Sequence, residues 1–266
     1  MHNGANGRTA IPSWRKALDE ARRLLIRGAR GLLAPQADRC IACGALAGGA
    51  GGDLPVCRSC YAAIPWIAPK DIRCAVCGRY ESCPDCPRRT DASFVLNRSA
   101  VRYTETMKEW LGRFKYRGDE RMHKLMAGML RGTLDRLLAE QGLDRRRQPL
   151  YLTYVPLSDS RLAERGFNQT QRVAAALGQA VRIPVLPALD RMRHTGKQSH
   201  KSRAERLQDL RGAFAPREEL FQQIGEGSAV IVLIDDVYTT GSTLEECART
   251  IRGAVDARIY GLTWAR

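Results

Sequence analysis

Two groups of residues have types and spacings that imply chemistry. The first is a set of eight cysteines in four Cys-x-x-Cys units: Cys40/Cys43, Cys57/Cys60, Cys74/Cys77 and Cys83/Cys86. Two thiolates separated by two residues can grip one ion from a tight turn, and two such turns complete a tetrahedral four-sulfur site. Gly44 and Gly78 follow the second cysteine of two units, where a knuckle turn calls for positive φ. The spacing predicts one or two zinc ions, with iron–sulfur ligation as the alternative. A closed four-sulfur site has no vacant coordination position, so the ions are expected to be structural. Grouping in chain order, 40/43/57/60 and 74/77/83/86, and an interleaved cross-brace both fit the spacing. The ninth cysteine, Cys247, stands alone in a helical pattern and is expected to be a small buried apolar residue.

The second group is Asp235-Asp236 followed by Val237-Tyr238-Thr239-Thr240-Gly241-Ser242-Thr243. The preceding run, Val230-Ile231-Val232-Leu233-Ile234, is β-branched and apolar throughout, as in a strand buried on both faces. Ligands of open α/β sheets bind at the carboxyl ends of strands, where this pair falls. The hydroxyl-rich loop then leads into a helix starting near Thr243, and its backbone N–H groups suit a phosphate monoester. Acidic pairs also end Walker B strands and phosphoacceptor strands. The Gly-x4-Gly-Lys-Ser/Thr loop that a Walker B strand needs is missing here.

The elements that must position these groups follow from periodicity. Strands are predicted over residues 99–103, 151–155, 183–186, 229–234 and 258–263, and helices over 105–116, 120–140, 169–179 and 243–254. Alternation of the two predicts an α/β fold with a mostly parallel sheet flanked by helices. Residues 40–90 hold all the paired cysteines among glycines and prolines, and need a metal to hold them. Three parts result: a basic extension over 1–39 with a helix over 13–33, a double zinc ribbon over 40–90, and the α/β domain over 91–266. Residues 190–213 fit neither period and are rich in arginine and lysine, as a functional loop would be.

Lys and Arg number 43 against 28 Asp and Glu, a net charge of +15. The excess is spread along the chain, which suits a polyanionic ligand, either nucleic acid or a multi-phosphate substrate. No apolar run approaches the roughly 18 residues that span a bilayer. Leu24-Leu25-Ile26 is bracketed by Arg22-Arg23 and Arg27, so no signal peptide is read and the chain is expected to be cytoplasmic. In that reducing compartment paired cysteines indicate metal, not disulfides.

The segment from Asp235 to Thr243 resembles the 5-phosphoribosyl 1-pyrophosphate (PRPP) motif of type I phosphoribosyltransferases. Val155-Pro156-Leu157-Ser158 with Arg161, then Arg165-Gly166-Phe167-Asn168-Gln169, is similar to the ComF-family stretch leaving the first core strand. Phe114-Lys115-Tyr116-Arg117-Gly118-Asp119 resembles the Lys-Tyr-x-Gly-Asp segment of the same family, and residues 191–214, with Gln198 and Arg206, its hood loop. With the preceding cysteine ribbons, the likeness to the ComF family covers residues 33–266.

The resemblance implies roles. Asp235 and Asp236 would accept hydrogen bonds from the ribose hydroxyls, and Thr239, Thr240, Gly241, Ser242 and Thr243 would enclose the 5′-phosphate. Ser158 and Arg161 would approach the pyrophosphate, and Arg191 and Lys197 of the hood would be the catalytic candidates. Mg²⁺ would be held mainly by oxygens of PRPP itself. Purine-salvage members carry a further aspartate before the Thr-Gly, where this chain has Thr239, so a six-oxopurine acceptor is disfavoured. A phosphoribosyltransferase releasing pyrophosphate is one expectation. Others are a non-catalytic single-stranded-DNA-binding ribbon protein, with Tyr61, Trp66 and Trp110 as stacking candidates, and a PRPP-sensing regulator. The family's link to DNA uptake implies further DNA-uptake proteins as partners.

Overall fold

The computed structural model describes residues 39–46, 50–51, 53–88, 92–193, 209–222, 224 and 229–266. The expected helix over 13–33 and the hood residues Lys197, Gln198 and Arg206 lie outside them. The strands are β1 (Ala50–Gly51), β2 (Leu54–Cys57), β3 (Asn97–Val101), β4 (Leu150–Tyr154), β5 (Leu189–Arg191), β6 (Phe214–Pro216), β7 (Ala229–Val237) and β8 (Ala257–Ala265). The helices are α1 (Arg58–Ala62), α2 (Glu105–Tyr116), α3 (Met122–Glu140), α4 (Asp159–Arg165), α5 (Gln169–Val181), α6 (Glu218–Phe221) and α7 (Ser242–Ala254).

The central sheet runs β3-β8-β7-β4 with every pairing parallel. It is flanked by helices, as the α/β reading expects: α3 and α5 pack on one face and α7 on the other. Strand β7 shows why its sequence is apolar at every position from 229 to 234. Val230, Val232 and Ile234 enter the core under α3 and α5, while Ala229, Ile231 and Leu233 enter the core under α7. Helix α2 buries Met107, Trp110, Leu111 and Phe114, the i, i+3, i+4, i+7 stripe of an amphipathic helix. Trp110 is therefore only 5% exposed, which removes it as a stacking surface for nucleic acid.

The expected strand at 183–186 forms only a single parallel bridge, between Leu152 and Val185. The Leu152 amide donates to Pro184 O and the Leu186 amide to Leu152 O, but Pro184 and Pro187 have no N–H to extend the ladder. Strands β5 and β6 form a short antiparallel pair, Arg191 opposite Phe214, that brackets the arginine-rich segment.

The two cysteine segments lie against opposite faces of the sheet. Cys40, Ile41, Leu54 and Val56 join the core beneath α2, α3 and α5. Arg113 of α2 donates to Ile41 O (2.7 Å) and Ala42 O (2.6 Å). Cys77 joins the α7-side core, and Val76 O accepts from the Asn97 amide at 2.7 Å. Gly78 (φ 71°) approaches so closely that a Cβ there would meet Asn97 O at 2.8 Å. Among the described residues no helix is long and apolar enough to cross a membrane.

Candidate functional site

The sulfurs of Cys40, Cys43, Cys57 and Cys60 all lie within 4.8 Å of one another, and so do those of Cys74, Cys77, Cys83 and Cys86. Cys43 Sγ is 3.8 Å from Cys57 Sγ, and Cys77 Sγ is 3.6 Å from Cys83 Sγ. A tetrahedral ion with ligand bonds of about 2.3 Å separates its sulfurs by about 3.8 Å. Both tetrads fit an ion of zinc's size, so two sites could hold zinc. The grouping follows chain order, because each pair of knuckles sits on its own face of the sheet.

Backbone amides prepare the thiolates. Burial would raise the Cys40 thiol, but hydrogen bonds from the knuckle amides, including those of Cys57 and Cys43, bring it down to about 6. Cys83 reaches about 6 in the same way: burial opposes, and the Cys86 and Asp85 amides prevail. Each tetrad thus has one thiol whose surroundings favour the thiolate.

The aspartate pair sits at the carboxyl end of β7. Asp236 receives Lys115 Nζ at 2.6 Å and Gln169 Nε2 at 3.0 Å, while its own amide donates to Asp235 Oδ1 at 2.8 Å. Burial, with the adjacent Asp236 charge, pushes the Asp235 carboxyl up to about 7, and Lys115 and Arg191 pull against that rise. Burial acts on Asp236 too, but Lys115, then Gln169 and Arg165, carry it below the ordinary carboxylate range. Of the two, Asp235 is therefore the carboxyl that keeps a proton longest as pH rises.

Three sequence segments supply the surroundings. Lys115 is in the last turn of α2. Asn168 caps α5, accepting from the Thr170 and Gln171 amides, which orients Gln169 toward Asp236. Phe167 packs on Phe114 with ring centroids 5.3 Å apart, fixing one segment against the other. Arg165 donates to Gln169 Oε1 at 3.0 Å and lies over the Tyr116 ring. The 165–169 stretch is thus a brace between helix α5 and the carboxylates, with Gly166 (φ 75°) ending α4.

After Tyr238 the chain turns through Thr239, Thr240 and Gly241, whose φ of 77° is in the left-handed region, and Ser242 begins α7. Thr240 Oγ1 lies 2.8 Å from Ser242 Oγ, and Thr243 is in the helix's first turn. Ser158 is buried and precedes α4, with its hydroxyl 3.2 Å from that of Ser160. Arg161 pairs with Glu164 at 3.6 Å. Arg191, at the end of β5, lies over Phe214. Burial lowers its guanidinium, opposed by Cys247 and Asp235 and reinforced by Arg161. These couplings bring Arg161, Arg191 and Asp235 into one electrostatic neighbourhood.

Such an edge can accept hydroxyl donors on carboxylates, take a phosphate on loop amides at a helix N-terminus, and balance further negative charge with arginines. Periodicity did not single out Lys115 and Gln169 as partners of the aspartates, although both fall in segments read as motif. Cys247 is fully buried, as expected. A further groove lies elsewhere among the described residues. It has a volume of 960 Å³ and runs between the first cysteine segment, α3 and α5.

No family model matches the chain. It is 34% identical over 211 residues to competence protein ComFC of Bacillus subtilis (strain 168), covering 75% of this chain and 78% of that protein. It is 29% identical over 219 residues to competence protein ComFC of Streptococcus pneumoniae (79% and 88% covered). It is also 30% identical over 173 residues to competence protein F of Haemophilus influenzae (61% and 70% covered). Identity at that level over three quarters of both sequences is that of common descent, and the chain belongs to the ComF family.

Proposed function

We propose that this chain is a PRPP-binding, phosphoribosyltransferase-like protein that serves DNA uptake; its relatives are named competence proteins. The observation that carries the reading is the carboxylate pair at the end of β7, followed directly by the hydroxyl-lined turn into α7. In this reading Asp235 and Asp236 take the ribose hydroxyls, and Thr239, Thr240, Gly241, Ser242 and Thr243 hold the 5′-phosphate. Ser158 and Arg161 face the pyrophosphate with Arg191, and Lys197, outside the described residues, is the further catalytic candidate. Mg²⁺ arrives with PRPP and is bound mainly by its oxygens. Transfer breaks the bond from the anomeric carbon to pyrophosphate through an oxocarbenium-like state, which the cations favour by stabilising the departing anion. Residues 40–90 form the zinc-ribbon unit and 91–266 the phosphoribosyltransferase-like part.

The direct test is titration calorimetry of PRPP with Mg²⁺ against wild type and Asp235→Asn/Asp236→Asn. Charge-assisted hydrogen bonds contribute about 1.5–3 kcal/mol each, so affinity should fall roughly 10- to 100-fold per residue. Equal affinity in the double variant would remove the reading.

A second reading, binding of single-stranded DNA, draws on the 960 Å³ groove. Lys124, Arg131, Arg136 and Arg172 outnumber Asp53 and Asp135 along it, and Tyr61 and Trp66 stand at its edge. Tyr61 is 37% exposed, enough to offer a ring face to a base. Binding to a fluorescent oligonucleotide should weaken steeply between about 50 and 200 mM salt and fall with Arg131→Ala. Affinity indifferent to salt would discard it.

A further inference from the structure

The second cysteine tetrad and the loop after the aspartates share one side chain. Arg266 Nη1 donates to the carbonyl of Cys77 at 3.1 Å, and its guanidinium lies 4.5 Å from the centroid of the Tyr238 ring. Tyr238 is 5% exposed and immediately precedes Thr239. Its amide donates to Ala265 O at 2.9 Å, and the Arg266 amide donates to Val101 O at 3.0 Å, so the backbone on both sides of the contact is fixed. The same Cys77 carbonyl accepts from Asn97 Nδ2 at 3.4 Å. Asn97, fully buried, also donates to Thr263 Oγ1 at 3.2 Å. Thr263 stands opposite Asp235 in the β7–β8 register. A knuckle carbonyl is therefore connected to the ribose carboxylate by one route and to the start of the phosphate loop by another. The first tetrad has a different neighbour: its carbonyls are held by Arg113 of α2.

We propose that Arg266 is a positioning residue that couples metal at the second tetrad to the anion site, so that metal and sugar phosphate each tighten the other's binding. This rests on the PRPP reading above. With four thiolates around a divalent ion the second centre would carry net negative charge, which would hold the guanidinium over Cys77 and against the Tyr238 ring. Losing the ion unfastens the Cys77 turn, and with it the ring that sets where Thr239 begins. Coupling of this kind is reciprocal: what metal does for PRPP, PRPP must do for metal.

The test uses the full-length zinc-loaded protein and follows zinc release to a chromophoric chelator, with Mg²⁺ constant and PRPP present or absent. One of the two zinc equivalents should leave at least about 5-fold more slowly with PRPP, and the other at an unchanged rate. Arg266→Met should abolish that protection and weaken PRPP binding about 5-fold or more, while Arg252→Met, on the exposed side of α7, should leave both intact. If Arg266→Met fails to fold, Tyr238→Leu keeps an apolar side chain at the buried position and should uncouple the sites in the same way. PRPP that binds without slowing either equivalent, or that slows both equally in wild type and Arg266→Met, overturns the coupling alone. PRPP that does not bind wild type at all overturns the proposed function and this inference together.

Discussion

Lys115 Nζ lies 2.6 Å from Asp236 Oδ2, and it makes two neighbouring aspartates unlike each other. Asp236 is held ionised by that ammonium, whereas Asp235 is left as the proton carrier of the pair, at about 7.

The first consequence concerns stability. Between its ordinary 3.8 and about 7, folded Asp235 keeps a proton that the unfolded chain has released. Stability therefore falls as pH rises through that window and stays at the lower level above it. Asp235→Asn removes the penalty, so its melting temperature should exceed wild type at pH 8 and converge with it near pH 4. Asp236 has the opposite sign: its contribution is present above 3.8 and is lost as pH falls through its lowered value. Asp236→Asn at pH 7 should cost about 2 kcal/mol, less than the ~3–5 kcal/mol of a fully buried pair because both partners keep some exposure. Equal melting shifts in the two variants would contradict this asymmetry.

Ligand affinity should follow the same proton. A ribose hydroxyl donates best to an ionised acceptor, so PRPP should bind more tightly at pH 8 than at pH 6. Lys115→Met removes the charge that restrains the pair's rise and should move the midpoint of this dependence upward. Calorimetry across pH on both proteins reads the shift directly. A midpoint unchanged by the substitution would mean that Lys115 does not govern the pair.

Ribose 5-phosphate separates the parts of the site. It retains the groups assigned to the aspartates and the 239–243 loop but lacks the pyrophosphate. Arg191→Ala should weaken PRPP by about 10-fold, the loss of a charge-assisted contact, and ribose 5-phosphate by less than about 2-fold. Competition binding with both ligands measures the ratio, and equal losses would place Arg191 on the sugar instead.

Zinc content should be two per chain by elemental analysis, one for each tetrad. Structural zinc supplies on the order of 10 kcal/mol in small fingers, and here Cys40 and Cys77 are themselves core residues. Chelation should therefore loosen the α/β core as well as the ribbons, seen as a lower melting temperature and faster amide exchange in β3 and α2. A metal-free protein with wild-type melting would refute it.

Arg182 ends α5 with φ 55° and ψ 47°, the left-handed conformation that glycine adopts without steric cost. Its side chain is exposed. Arg182→Gly should raise stability by about 0.5–1 kcal/mol, the strain released being partly offset by the extra freedom of glycine in the unfolded chain. Chemical denaturation at constant slope provides the measurement.

Much of the fold is legible in the chain because local periodicity and burial agree. Helix α2 spans the residues that the apolar stripe from Met107 to Phe114 predicts, and β7 follows from five consecutive apolar residues. Strand β3 lies two residues earlier than its β-propensity indicates, because its position is set by β8 and by the Asn97–Val76 contact. β5 and β6 escaped notice because three residues carry no period, and Pro216 and Asp190 argue locally against a strand. The cysteine spacing left two groupings open. The sheet decides between them, since it stands between the knuckles that a cross-brace would have to join. Lys115 and Asp236 are more than a hundred positions apart, and only the packing of α2 beside the end of β7 brings them into contact.

Strand β8 sits between β3 and β7, pairing Asn97 with Gly261 on one side and Ala229 with Ala257 on the other. It is the last strand in chain order among the described residues, yet it is an interior one. During synthesis β3 and β7 therefore wait with open edges until β8 emerges, and the contacts it then makes close loops of very different length. The cysteine knuckles precede these strands in the chain. The order of emergence makes β8 the step whose failure exposes two sticky edges at once.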